Sequence, residues 1–197
     1  MENVLKQTTR DFSKTSENIQ TTIIALLALI VPTFLAKLIN IIFGAQNIIT
    51  SNSQLIVGSI VNTVLVISAL NLKGFNKIGF IITMPSVSTI LSGYVFRSAS
   101  VYMVWMIPAI WLGNFALIYA FKYIMIAKEK SYILAAIIGV FCKVAIIFGF
   151  FSILNLFNIF PEKLVSNLQT AMSLTQLTTA VIGCIIALGI HKTTFKK

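Results

Sequence analysis

The chain is a succession of apolar runs separated by short polar intervals, so its fold is constrained first by lipid. Hydropathy along the sequence gives six spans, at 20–43, 54–70, 78–95, 101–122, 132–157 and 168–190. Each reaches or approaches the ~20 residues that carry a helix across a ~30 Å hydrocarbon core, and 54–70 is the shortest. Lipid-facing backbone must satisfy its own hydrogen bonds, and the runs lack the alternation of barrel strands, so helices are expected. The composition agrees: 57% apolar residues, 10% charged residues and a mean hydropathy of +0.94 are far from globular averages. The expected fold is an all-α integral membrane protein, six transmembrane helices in one bundle. Residues 1–19 read as a polar cytosolic lead-in, frayed or amphipathic, 20–190 as the membrane domain and 191–197 as a basic cytosolic tail. The first run starts too late and runs too long for a simple signal peptide.

Orientation follows from the basic residues. With the N-terminus inside, the cytoplasmic side receives Lys6, Arg10, Lys14, Lys73, Lys77, Lys122, Lys128, Lys130, Lys192, Lys196 and Lys197; the external loops receive only Arg97 and Lys163. That asymmetry obeys the positive-inside rule and puts both termini in the cytoplasm. The net charge of +10 therefore reads as topology and contact with anionic lipid, with no nucleic-acid partner, because no soluble basic face or recognition module accompanies it. Catalytic and metal sites are not expected either. His191 stands without companion ligands, Cys142 and Cys184 read as apolar fillers inside spans, and no embedded carboxylate is present to serve as acid or base.

The two remaining bases, Lys37 and Lys143, lie inside apolar runs, whereas Glu2, Asp11, Glu17, Glu129 and Glu162 all fall in or beside loops and tails. An embedded lysine without a carboxylate must snorkel, lose its proton or meet an anion from outside. Lys37 is near the external side of its span, where snorkelling is cheap. Lys143 falls near mid-membrane, following Ala135 and Gly139 at four-residue spacing, so its stem can run beside a neighbouring helix. Ligand contact and a hydrogen bond to a carbonyl or to Asn114 are both open to it.

Other polar groups mark candidate surfaces. The third run carries Thr83, Ser86, Ser88, Thr89 and Ser92 with Gly79 and Pro85, so it should face protein or water and be irregular. Trp111 and Asn114 share a helix face and can hold a flat polar ligand or serve as an interhelical bond with an aromatic filler. Tyr94 and Arg97 sit at the external surface, the usual level of interface anchors. Ala28, Pro32, Ala36 and Asn40 make one line of small or polar residues, and Ala171, Thr175, Thr179, Gly183 and Ala187 make another. Each line can pack inside the bundle or against a partner. The chain has neither an acid at depth for a coupling ion nor a Walker-type phosphate loop, so transport would draw its energy from another protein.

The six-span plan and the segments MPSVSTILSGYVF (84–96), IPAIWLGNFALIYAFKYI (107–124) and MSLTQLTTAVIGCIIALGI (172–190) resemble the substrate-binding S components of energy-coupling factor (ECF) transporters, over most of residues 20–190. The resemblance implies a protein of the bacterial or archaeal cell membrane that captures a micronutrient, such as a vitamin, from outside. It would dock on a transmembrane coupling subunit with two cytosolic ATPases; the partners use ATP and this chain binds no cofactor. It further implies a ligand between the outer halves of later helices, under the loop 44–53, and docking through the first helices. On that plan Lys37, Asn40, Gln46, Tyr94, Arg97, Trp111, Asn114, Lys143, Gln169 and Gln176 are candidate ligand contacts, and Ala28, Pro32 and Ala36 a candidate docking face. The family's first-helix Ala-x-x-x-Ala is absent, since Ala25 and Ala28 are three apart. Two bases and several amides without an acid favour a small ligand bearing a carboxylate or phosphate. A stand-alone carrier or channel, and a structural membrane-assembly protein, are the competing expectations.

Overall fold

A computed structural model of the chain describes residues 2–44, 47–72 and 75–194. Among them the chain is helical with no strand, in the order α1 (Glu2–Phe43), α2 (Ile48–Ser51), α3 (Ser53–Asn71), α4 (Phe75–Ser92), α5 (Ser100–Met103), α6 (Ile107–Ala120), α7 (Tyr132–Leu156), α8 (Glu162–Met172) and α9 (Leu174–Thr194). Local chemistry sets many of these boundaries. Gly44 and Gly93, with φ of 76° and 70°, end α1 and α4 in the left-handed conformation that a Cβ disfavours. The Asn47 side chain accepts from Ile49 N at 2.9 Å to start α2, and Ser131 accepts from Leu134 N at 3.2 Å to start α7. Pro108 occupies the first turn of α6, where its missing N–H costs nothing.

Among the described residues five stretches are long and apolar enough to cross a membrane: Glu17–Phe43, Ser53–Asn71, Arg97–Ala127, Tyr132–Leu156 and Glu162–Thr193. The third expected span corresponds to α4, which is apolar over Lys77–Ser92. It stays helical through Pro85, where irregularity was expected. Hydroxyls of Thr83, Ser86 and Thr89 donate to the carbonyls of Gly79, Thr83 and Pro85, keeping these polar groups within the helix's own bonding. From Glu2 the polar lead-in is part of continuous α1. The last expected span departs from expectation, beginning as a separate helix, α8, broken from α9 at Ser173. In α8, Leu168 and Met172 are buried while Glu162, Lys163, Ser166, Asn167, Gln169 and Thr170 are exposed, so it is an amphipathic surface helix.

The helices pack most intimately as three pairs, α1 with α4, α3 with α9 and α6 with α7. In α3–α9, Gly58 faces Thr179 and Gly183 lies against the backbone of Asn62 and Thr63. The small-residue line of the last span is thus used inside the bundle. In α6–α7, Gly113 faces Ile147 and Gly139 faces Leu117 and Ala120. The α1–α4 contact is polar: Thr33 Oγ1 donates to Ser88 O at 3.1 Å, and the Ser88 hydroxyl donates to Leu29 O. Leu29 lies in the turn that Pro32 interrupts, where a neighbouring hydroxyl offsets the disturbed ladder.

The apolar core is divided. One cluster gathers Leu65, Val66, Ile81, Leu117, Phe121, Val140, Ala180 and Ala187 at one end of the bundle. The second gathers Ile90, Met103, Met106, Ile110, Ile147, Phe151, Phe160 and Met172 at the other. Along α6 and α7 the residues that fall between these clusters are Asn114 and Lys143.

Candidate ligand site at a buried lysine

Lys143 is 3% exposed and projects from α7 into the level between the two apolar clusters. Its Nζ donates to Asn62 Oδ1 of α3 at 2.5 Å and to Asn114 Oδ1 of α6 at 2.8 Å. Both amides are held from behind. Asn62 Nδ2 donates to Gly58 O at 2.9 Å and to Thr179 Oγ1 at 3.2 Å, and Asn114 Nδ2 donates to Ile82 O at 3.0 Å. Turning either amide over would set N–H groups against the lysine and an oxygen against a carbonyl, so the surroundings fix both oxygens toward Nζ.

This arrangement joins all three helix pairs. Lys143 and Asn114 belong to α6–α7, Asn62 and Thr179 to α3–α9, and Ile82 to α4 of the α1–α4 pair. An ammonium has three N–H donors, and the two asparagines take two of them. Beside Nζ lies a cavity of about 70 Å³ lined by Gln54, Asn62, Ser86, Thr89, Asn114 and Gln176, with Val57, Val61, Val95, Phe96 and Ile110 among its apolar walls. Among the described residues no acidic side chain lines it. Gln54 Nε2 donates to Ala171 O at 3.2 Å, bridging α3 and α8 on one side of this space.

No protein-family model, curated protein or solved structure matches this chain.

Of the residues singled out from sequence, Asn114, Lys143 and Gln176 meet at the cavity. Trp111 is adjacent, its Nε1 donating to Ser86 Oγ at 2.9 Å, while its ring lines a separate groove between α4 and α6. Lys37 is exposed on α1, Asn40 is half-buried near the end of that helix, and neither lines the cavity. Tyr94 packs instead against the cluster of Ala36, Ile39 and Val57. Arg97 is exposed with φ of 50°, and Gln169 is exposed on α8. Gln46 lies outside the described residues. Of the candidate docking face, Pro32 and Ala36 are buried and Ala28 is half-buried; Ala28 and Pro32 line an apolar cleft of about 400 Å³ between α1, α3 and α4.

Sequence reading passed over Asn62, Gln54, Ser86 and Thr89 as site residues. Asn62 was visible in principle, being a lone amide inside an apolar run, the same signal that singled out Asn114.

The Trp111 bond supports the wall of this site. Trp111→Phe keeps most of the ring and removes the donor to Ser86, so it should lower stability by about 1 kcal/mol in thermal or denaturant unfolding in detergent. No change would mean that water replaces the indole N–H.

Proposed function

We propose that the chain captures a small anionic nutrient and delivers it through an ATP-driven ECF-type complex. The single observation that carries the reading is Lys143: a base buried in an apolar bundle, held by neutral amides beside a polar cavity, with no carboxylate to balance it. Capture from the external side, six spans and cytoplasmic termini belong to the same proposal. The support for these is the distribution of basic residues and the resemblance of 84–96, 107–124 and 172–190 to S components. The partners on this reading are a transmembrane coupling subunit and two cytosolic ATPases, and the chain works without chemistry of its own.

One observation favours a second reading. The cavity is far smaller than the ~300–1,000 Å³ usual for ligand sites, so the polar cluster can serve as a structural joint in a membrane-assembly protein. Ligand capture then requires the wall containing Gln54, Val95 and Phe96 to open.

Two measurements separate these readings. Expression with coupling and ATPase subunits should give a complex that co-purifies and takes up substrate only with ATP; flux through the isolated chain without ATP would establish a stand-alone carrier instead. Lys143→Met should abolish retention of a small molecule after mild purification, while Lys37→Met leaves it unchanged. Equal retention by wild type and Lys143→Met would return the lysine to a structural role.

A further inference from the structure

We infer that the occupant of the Lys143 cavity carries one negative charge, as a monocarboxylate, and that phosphate esters and dicarboxylates are excluded. The inference rests on the capture reading and narrows it. Charge is the first argument. Among the described residues Lys143 is the one ionisable side chain lining the cavity, and the second base noted in the sequence, Lys37, is exposed elsewhere. A single ammonium is balanced by a single anionic charge. A phosphate monoester brings about −1.5 to −2 charge near neutral pH, leaving an excess of negative charge away from water. Uncompensated burial of this kind is strongly unfavourable.

Donor geometry points the same way. Asn62 and Asn114 hold two N–H bonds of the ammonium, so at most one remains for an occupant. Gln176, which lines the same space and is half-buried, makes no hydrogen bond with its side chain among the described residues, so its amide N–H groups are available to an anion's second oxygen. A carboxylate has two oxygens to share between these donors. A phosphate has three terminal oxygens, and the other cavity hydroxyls already donate inward: Ser86 to Thr83 O and Thr89 to Pro85 O. The cavity volume, about 70 Å³, also suits a small planar head group, with the rest of the molecule accommodated where the wall of Gln54, Val95 and Phe96 opens.

The test uses the full-length protein in detergent or nanodiscs. Thermal stabilisation and calorimetric binding are measured with acetate and benzoate, their uncharged counterparts acetamide and benzamide, and the more highly charged succinate and inorganic phosphate. Mass spectrometry identifies any small molecule retained on purification. The expected ranking is monocarboxylate tightest, with amides and multiply charged anions weaker by about tenfold or more. That advantage should vanish in Lys143→Met; if this variant does not fold, the wild-type ranking decides alone. A retained molecule with a single carboxylate supports the inference even where the probes bind weakly.

Other outcomes overturn it in distinguishable ways. Tighter binding of succinate or phosphate, dependent on Lys143, rejects the monocarboxylate class and leaves anion capture standing. Amides that match the acids, or a retained neutral compound, reject the anionic occupant. Absence of both a retained molecule and any response to the probes rejects capture as well.

Discussion

Asn62→Leu should destabilise the protein by about 3 kcal/mol or more, a larger loss than Lys143→Met. The leucine removes the acceptor at 2.5 Å from Nζ and the amide's donations to Gly58 O and Thr179 Oγ1 in one step. The lysine, 3% exposed, would keep only Asn114 as a polar partner. Removing one partner of a buried charged group is severe because the other stays desolvated. Lys143→Met differs in kind. It leaves two amide oxygens without their donor, at a cost of about 1–3 kcal/mol each, and also removes the buried charge, so the terms partly cancel. Unfolding of the two single variants and the double variant in detergent gives the coupling directly. It should be about 1–3 kcal/mol, in the range of contacting residues, with Asn62→Leu milder once the lysine is gone. Additive effects would show that the two side chains do not depend on each other, and the joint between the helix pairs would have to be sought elsewhere.

That Lys143 stands out in the sequence more sharply than Asn62 follows from the strength of the two signals. A base inside an apolar run violates a solvation rule costing roughly 2.5–3.5 kcal/mol on insertion scales, so it stands out without knowledge of any neighbour. An amide in an apolar run is a weaker anomaly than a base, and its meaning depends on which helix faces it. Asn62 and Lys143 are 81 residues apart, and only the packing of α3 beside α6 and α7 brings them together. The same limit explains the site residues that scattered. The S-component plan groups Arg97, Gln169 and Lys37 as ligand contacts toward the external side, but such a plan does not fix azimuth around a helix. Helix existence was the most legible quantity, since hydropathy alone reports it. The break at Ser173 was not, because the apolar residues of α8 merge with those of α9 in any smoothed profile. The surface character of α8 becomes plain only when Leu168 and Met172 are seen buried and their polar neighbours exposed.

Gly183→Ala carries the second large effect, and it tests the helix pairing that holds Asn62 in place. A Cβ at Gly183 would stand 2.5 Å from Asn62 Cβ, 2.8 Å from Thr63 N and 2.9 Å from Asn62 C. Two of these three atoms are backbone, which no change of rotamer can move, so α3 and α9 must separate. Overpacking of this kind costs about 1–3 kcal/mol, and a bulkier residue such as valine costs more. Two of the three displaced atoms belong to Asn62, the residue that accepts from Lys143, so Gly183→Ala should also weaken retention of a ligand that depends on that lysine. Gly149 and Gly189 supply the control, because a Cβ at either meets no heavy atom within 4 Å. Alanine there should be neutral or stabilising by up to about 1 kcal/mol from helix propensity alone. Unfolding measurements on the three variants separate steric contact from a general intolerance of alanine. Should Gly183→Ala match the controls in both stability and ligand retention, the close approach of α3 and α9 would be wrong, and with it the placement of Asn62 opposite Lys143.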